Sequence, residues 1–454
     1  MNKKQIDMLN GSLWDKILLF ALPLAFTGIL QQLFNAADIA VIGQFVNADA
    51  MAAVGSNAPL ISLLVNFFVG ISLGSNVVIA NAIGSRDNET VEKAVHTSIL
   101  IALIGGIFIS VVGEIIAEPM LHLLGVPEQV FPMSLLYLRY YMAGMPIILL
   151  YNFESAIYRS AGNTRTPLIT LVVSGIINVV LNLFFVIVLK KTVDGVAMAT
   201  VISNFISVVI LFIGLIKTDT AVRVDIHKMG IDKMVLSKIL RIGVPSGVQS
   251  MTFSAANLVV QSAINSLGNI VMAGSAAALN IEIFAYYMLN SFGQACTTFV
   301  GQNNGAKKPE RCRKTLMLCL VEDMLLTFTE IAIILFFGKN LLWIFNKDPE
   351  VIASGYTRLI YMFSAYIFSL ISEVMSGYMR GYGLSAFPAL ISLVGICGTR
   401  ILWIAKVFKA SPTFENIMIV YPISLGLTAV AVCICVLVLR PDKLYERKFK
   451  KQKP

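Results

Sequence analysis

The sequence has few charged residues: Asp, Glu, Lys and Arg together make up 13% of its 454 residues, and hydrophobic residues make up 57%. A soluble globular domain contains about 25% charged residues. A soluble fold of this length would expose too much apolar surface, so the composition argues against a soluble enzyme. One helical crossing of a bilayer takes about 20 apolar residues, and the chain can supply roughly twelve. The composition therefore predicts an integral membrane protein.

Metal-binding, disulfide and nucleotide-binding patterns are also missing. The three histidines are scattered, and no G-x-x-x-x-G-K-[ST] sequence for binding ATP phosphates is present. The cysteines show no pairing or zinc-ligand spacing, so we expect no disulfide or zinc framework. The six are Cys296, Cys312, Cys319, Cys397, Cys433 and Cys435. We therefore expect a protein that is not an enzyme, has no cofactor, and binds no metal beyond a coupling Na⁺.

Twelve apolar runs of membrane-spanning length follow one another along the chain. They cover residues 17–45, 51–83, 95–117, 131–158, 166–189, 193–216, 236–266, 270–301, 315–338, 350–379, 384–408 and 415–439. The polar start, MNKKQIDMLNGSLWDK, has no cleavage site behind a short apolar run, so we expect the first run to be retained as a helix. The runs predict an all-α protein with twelve transmembrane helices.

Lys and Arg are concentrated in the segments that lie on the same side of the membrane as the N-terminus. Basic residues mark the cytoplasmic side, so both termini are predicted to be cytoplasmic, in a bacterial cytoplasmic (inner) membrane. The basic tail, residues 441–454, fits the anionic inner leaflet of the bilayer. The net charge of +9 therefore implies the lipid bilayer as a partner and no nucleic acid.

The second half of the chain repeats the first. ALPLAFTGILQQLFNAA (21–37) recurs as GVPSGVQSMTFSAANLV (243–259), and IANAIGSRDNETVEKA (79–94) recurs as FVGQNNGAKKPERCRKT (299–315). A constant offset of about 220 residues along the chain indicates duplication. Six helices per half is an even number, so both halves enter the membrane in the same sense and are related by a pseudo-twofold along its normal. Such halves enclose a cavity for alternating access.

The duplication sets the predicted domain boundaries. They are an N-lobe at 1–216, a cytoplasmic linker at 217–235, a C-lobe at 236–440 and a basic cytoplasmic tail at 441–454.

Asp38 is an ionisable residue inside the first apolar run, where ionisable groups usually mark function. Gln31, Asn35 and Asp38 have the spacing i, i+4, i+7, so they share one helix face. We expect this face to line a wet cavity, with Gln31 and Asn35 towards the substrate. Asp38 would bind a proton or Na⁺. The alternative is a structural acid that bonds to neighbouring helices.

Two further polar stripes lie on predicted helices. Asn178 and Asn182 in the fifth run share a face, and amide oxygens are hard ligands suited to a cation. In the seventh run, Asn257, Gln261 and Asn265 repeat the stripe of the first run without an acid. Asn257 and Gln261 are candidate substrate-facing residues. For both stripes the alternative is hydrogen bonding between helices, which is common for Asn in membranes.

A few more charges fall inside apolar runs. Glu154 in the fourth run, Glu282 in the eighth and Glu373 in the tenth are candidates for additional coupling or structural acids. In the repeat, Arg400 stands at the position that corresponds to Val179 of the first half. Because an unpaired arginine in a membrane is costly, we expect Arg400 to form an ion pair with Glu282 or Glu373.

Several segments resemble the multidrug and toxic compound extrusion (MATE) family, within a superfamily that includes lipid-linked oligosaccharide flippases. The most specific is the junction R-x-x-G-[ND]-T-[RK]-T-P, here Arg159 to Pro167. The pattern I-E-x-F at Ile281 to Phe284 resembles a bacterial branch. Other matching segments are LFNAADIAVIGQF, AAVGSNAPL, ANAIGSRDNE, IINVVLNLFFV, GVAMATVIS, IGVPSGVQ and TFVGQNNGAKKPE. Together they cover nearly the whole chain.

The resemblance implies two six-helix lobes in a V shape and a monomeric antiporter that exports amphipathic, cationic compounds by rocker-switch alternating access. The coupling ion would be H⁺ or Na⁺. The residues matching the family's cation site are Asp38, Asn152, Asn178, Asn182 and Thr200. Where the family has a second acid in that site, this chain has Asn182, so its site has one carboxylate fewer than the family pattern.

Two other functions are open. A flippase for a lipid-linked oligosaccharide would also have a cavity, but we would expect several cationic side chains in it to bind pyrophosphate. A membrane scaffold without transport would leave the polar stripes serving only in packing.

Overall fold

The structure is a computed structural model, and it describes residues 5–443. In the first half, the helices are α1 (Trp14–Phe45), α2 (Ala48–Ser85), α3 (Asn88–Leu123), α4 (Phe131–Ala143 and Met145–Ser160), α5 (Arg165–Leu183, then Phe184–Val188) and α6 (Val193–Lys217). In the second half, they are α7 (Lys233–Asn265), α8 (Asn269–Gly305), α9 (Pro309–Phe345), α10 (Pro349–Gly381), α11 (Ala386–Ser392, Leu393–Gly398, Thr399–Trp403 and Ile404–Phe408) and α12 (Phe414–Met418 and Val420–Leu439).

Each of the twelve predicted apolar runs becomes one of these helices, which confirms the all-α, twelve-helix fold. Nine described helices are long and apolar enough to cross a membrane, and a tenth crossing comes from the two parts of α4, which meet at an angle of 49°. The other two long helices, α7 and α9, are more polar. The α9 helix, for example, contains Glu322, Asp323 and Glu330. Between residues 5 and 443 there is no strand.

Backbone geometry repeats together with the sequence. Arg86, which ends α2, has a left-handed φ of 58°, and Lys307, at the end of α8, has a φ of 59°. The π-helical turn Phe184–Val188 in α5 recurs as Ile404–Phe408 in α11. A left-handed residue or a π-helical turn is uncommon, so its recurrence at the repeat offset supports two homologous six-helix halves.

The described chain forms two compact units. Unit 1 contains residues 5–6 and 26–240, and unit 2 contains residues 7–25 and 241–443, so α1 contributes to both. The predicted lobe boundaries at 216 and 236 remain a prediction. Of the predicted tail 441–454, residues 444–454 lie outside the described residues. Asp442, just before them, forms an ion pair with Arg313 of the same unit.

The predicted linker lies against the start of α3 in unit 1. The backbone N–H of Asp225 donates to His96 Nε2 at 3.1 Å, and the N–H of Asp232 donates to Thr97 Oγ1 at 3.1 Å. Asp232 then begins α7, because its carboxylate accepts the Val235 N–H at 2.9 Å. That bond holds the pKa of the Asp232 carboxyl below its ordinary value. The linker is therefore fixed to unit 1 by backbone and side-chain contacts.

A matched pair of glycines tests what the α4–α5 junction contributes to stability. Gly162 has a φ of 80° and Gly383, its repeat counterpart, has a φ of 78°. A Cβ on Gly162 would lie 2.6 Å from the Ile6 carbonyl oxygen, whereas one on Gly383 would find its nearest atom at 3.6 Å. Gly383→Ala should cost about 1–2 kcal/mol for the left-handed backbone alone. Gly162→Ala should cost more, because the Ile6 segment must also move away.

Thermal unfolding of both variants in the same detergent would check this difference. Gly162→Ala is expected to have the lower melting temperature. Equal melting temperatures would show that the contact with Ile6 contributes nothing.

Candidate functional site

In unit 1, Asp38 of α1 meets two amides of α5 and a hydroxyl of α6. Asn182 Nδ2 donates to Asp38 Oδ1 at 2.5 Å and lies 3.2 Å from Asn178 Oδ1. Thr200 Oγ1 lies 3.1 Å from Asp38 Oδ2 and 3.0 Å from the Val196 carbonyl oxygen, so its one hydrogen is shared between two acceptors. Four of the five residues predicted for the cation site therefore form one cluster.

This cluster is deeply buried. Asp38 is 6% exposed, Asn178 4% and Asn182 0%. Nearby apolar residues from α1, α4, α5 and α6 form a packed cluster that includes Val41, Ile42, Tyr137, Val186 and Val196. A close contact also brings α1 and α5 together, because a Cβ on Gly175 would overlap the ring of Phe34. Water is therefore largely kept from the carboxylate in this structure.

The Asp38 carboxylate has no basic partner within the described part of the chain, and all its hydrogen-bond donors are neutral. Asn182 Oδ1 is buried there without a hydrogen-bond partner. Acceptor oxygens therefore outnumber donors. A buried carboxylate is very costly unless a proton or a cation neutralises it. The arrangement can bind a proton, or a small hard cation through oxygen ligands.

A π-helical turn, Phe184–Val188, begins two residues after Asn182. Such turns often occur at functional sites, because the helix must adjust locally to place a side chain. Here it follows the two amides that contact Asp38.

The remaining predicted residues of unit 1 lie apart from this cluster or contact other groups. Asn152 donates to the Ile148 carbonyl of its own helix at 2.8 Å. Glu154 is fully buried, and neither of its carboxylate oxygens has a hydrogen-bond partner among the described residues. Gln31 is half-buried and Asn35 is exposed. The substrate-facing role of Gln31 and Asn35, and the ion-binding role of Asn152, remain predictions.

In unit 2, each of the two predicted acids pairs with an arginine other than Arg400. Glu282 receives two hydrogen bonds from Arg358, at 2.7 and 2.9 Å, and both side chains are about 4% exposed. Glu373 pairs with Arg380. The prediction that Arg400 pairs with either acid is therefore wrong. Arg358 reaches Glu282 because α10 packs against α8, whereas Glu373 and Arg380 both lie on α10, seven residues apart.

Arg400 instead contacts neutral groups. Its Nη1 donates to Asn257 Oδ1 at 2.6 Å, and its Nε donates to Ser424 Oγ at 3.2 Å. The guanidinium carbon lies 4.5 Å from the ring centre of Tyr421 and 5.5 Å from that of Phe253. Gln261, the other predicted substrate-facing residue of α7, donates to Asn265 at 2.8 Å.

Sequence reasoning missed three features. Tyr137 and Tyr141 of α4 lie near enough to Asp38 to interact with it electrostatically. Arg358, inside the tenth apolar run, is 3% exposed and carries the ion pair with Glu282. Glu322 and Asp323 of α9 are buried, and the adjacent acids in LVEDMLLTFTE could have signalled them.

Known proteins resemble this chain along most of its length. The MatE family model matches residues 23–184 and 245–404, one match in each half. The chain is 28% identical to the probable multidrug resistance protein YoeA of Bacillus subtilis, over 86% of both chains. It is 25% identical to the probable multidrug resistance protein NorM of Thermotoga maritima, over 85% of this chain and 84% of that one.

The fold matches solved structures as well. A crystal structure of a MATE transporter in complex with MaL6 superimposes with a TM-score of 0.89 at 20% identity, covering 98% of this chain and 100% of that chain.

Proposed function

This chain belongs to the MatE family of multidrug efflux transporters, and from that premise we propose that it is an antiporter that exports organic compounds in exchange for H⁺ or Na⁺. Two homologous halves with buried polar clusters are typical of transporters that work by alternating access. The proposal concerns the coupling ion, the class of substrate and the mechanism. Membership of the family is its starting point.

The observation that carries the proposal is the Asp38 cluster. A carboxylate buried among neutral donors attracts a cation because nothing else in the site balances its charge. If the cation leaves, the charged acid favours a conformation in which water reaches it. Binding and release of the ion therefore favour different conformations, which is the coupling that an antiporter needs.

The site suits either ion. A proton needs only one carboxylate oxygen. Na⁺ needs several oxygen ligands, and Asp38, Asn178 and Thr200 present them, with Asn182 Oδ1 as a further acceptor. Hard oxygen donors of this kind bind alkali and alkaline-earth cations. Asn152 donates its amide nitrogen within α4, and it lies outside the set of hydrogen bonds that joins Asp38, Asn178, Asn182 and Thr200.

For the substrate, we propose amphipathic organic compounds that carry a positive charge, moved by rocker-switch alternating access. Both termini would lie in the cytoplasm of a bacterial cell, and the functional unit would be a monomer. The flippase alternative would require free cationic side chains to bind pyrophosphate. Arg358 and Arg380 are neutralised by Glu282 and Glu373, so neither is available for that purpose.

The test is efflux of ethidium, a fluorescent cation, from proteoliposomes under a pH gradient and a Na⁺ gradient imposed separately. One of the two gradients is expected to drive efflux and so to name the coupling ion. The other gradient, applied to the same vesicles, is the control. Folded protein that moves ethidium under neither gradient would contradict the antiport proposal and favour a flippase.

A further inference from the structure

Arg400 is an exception among the buried arginines of unit 2. Arg358 and Arg380 each have a glutamate partner, whereas Arg400 is 0% exposed and forms no ion pair within the described chain. Its Nη2 is buried without any hydrogen-bond partner there. An arginine inside a membrane protein is costly, and an unsatisfied buried donor adds to that cost. Packing alone does not explain such a residue.

Arg400 lies on the helix of unit 2 that corresponds to α5, which carries two residues of the Asp38 cluster in unit 1. In unit 1, a polar contact joins the first and fifth helices through Asp38 and Asn182. In unit 2, the first and fifth helices are α7 and α11, and the contact between Asn257 and Arg400 joins them. Each contact lies shortly before the repeated π-helical turn. The corresponding pair of helices therefore carries a buried negative charge in one unit and a buried positive charge in the other.

We propose that Arg400 and Asn257 form a binding site for a compact monovalent anion: either the carboxylate of a transported compound or chloride. The inference rests on the proposed transport function. If the anion is a carboxylate of the transported compound, the substrates include compounds that carry an acid as well as a cation. The guanidinium fork offers its Nη2 hydrogens to the anion, and Asn257 holds Nη1. Charge-assisted bonds of this geometry are among the strongest that arginine makes.

The surrounding residues suit this role. The rings of Tyr421 and Phe253 lie within cation–π distance of the guanidinium, and they stabilise it without neutralising its charge. Two π-helical turns, Leu393–Gly398 and Ile404–Phe408, flank the α-helical turn that carries Arg400. Irregular helix on both sides provides a place for the local movement that exposes Nη2 to a ligand.

Two dyes that differ by one group test the proposal. Rhodamine 110 has a free carboxylate, and rhodamine 123 is its methyl ester, so both carry the same cation. Both are measured for gradient-driven transport, and both for binding to purified protein by fluorescence anisotropy. Wild type is expected to favour rhodamine 110. Arg400→Met should weaken binding and transport of rhodamine 110 at least about tenfold. It should change binding and transport of rhodamine 123 by no more than about twofold.

A second variant keeps the test valid if Arg400→Met does not fold, and replacement of chloride distinguishes the two anions. Arg400→Lys keeps the charge and should keep part of the preference for rhodamine 110, even if Arg400→Met fails to fold. Replacing chloride with methanesulfonate tests chloride as the anion. Transport of rhodamine 123 that depends on chloride in wild type, less so in Arg400→Lys and not at all in Arg400→Met would identify chloride as the ligand.

Equal binding and transport of both dyes by wild type, with no effect of chloride, would overturn the anion site while leaving the antiport proposal intact. If wild type transports neither dye, the ethidium assay still decides the antiport proposal. The anisotropy measurement then still decides whether Arg400 binds the carboxylate.

Discussion

Asp38→Asn is expected to reduce gradient-driven efflux to the level of empty liposomes. The substitution keeps the size of the side chain and its ability to bond to Asn182 and Thr200, but it removes the only charge in the cluster. Without that charge the site neither takes up a proton nor holds Na⁺, so ion binding no longer changes which conformation is favoured. The measurement is the initial rate of ethidium efflux under the gradient that drives wild type.

Two further variants separate charge from hydrogen bonding. Thr200→Val removes one oxygen ligand of the proposed Na⁺ site and keeps the carboxylate, so if Na⁺ is the coupling ion it should weaken ion binding by about 1–3 kcal/mol without abolishing transport. Asn182→Asp supplies a second acid beside Asp38, and it should raise the number of ions exchanged for each dye molecule. Counting ions against dye, with pH and Na⁺ indicators in the same vesicles, measures that change.

Full efflux by a folded Asp38→Asn protein would contradict the coupling role and leave Asp38 as a structural acid. Melting temperature in detergent serves as the folding control. An unchanged melting temperature with lost efflux is the expected pair of results, because the asparagine fits the same hydrogen bonds.

The Asp38 cluster shows what sequence can predict in this protein. Asp38 stands out as an acid inside an apolar run, helical spacing places Asn178 and Asn182 on one face of α5, and family resemblance adds Thr200. The structure brings all four together. The twelve helices were equally predictable, because long apolar runs can satisfy their backbone only as helices in a membrane.

Choice of partner was not predictable. Glu282 could pair with any of three buried arginines of its own half, and the sequence does not say which helix packs against α8. Arg358 lies at the right level of α10 to form two bonds with it, so Arg400 is left without an acid. The burial of Glu154 without a partner was hidden for the same reason. Contacts between helices depend on tilt and rotation, which hydropathy does not set.

The ion pair of Arg358 and Glu282 gives the largest stability effect that we expect. Arg358 also donates to Ser275 Oγ at 2.6 Å, and the Tyr366 hydroxyl donates to the Glu282 carbonyl oxygen at 3.1 Å. Arg358→Met leaves a buried carboxylate with no counter-charge, which should lower the free energy of unfolding by about 3–5 kcal/mol. Chemical unfolding in mixed micelles, followed by circular dichroism, measures the loss.

An exposed ion pair provides the matched control. Arg139 and Glu114 in unit 1 approach to 2.9 Å, but their side chains are 47% and 51% exposed, so Arg139→Met should cost at most about 1 kcal/mol. Replacing both Arg358 and Glu282 with Met should recover most of the loss, because two apolar side chains need no counter-charge. If Arg358→Met costs no more than Arg139→Met, the buried pair does not stabilise unit 2. If the double variant remains as unstable as Arg358→Met, the loss comes from packing and not from the unpaired charge.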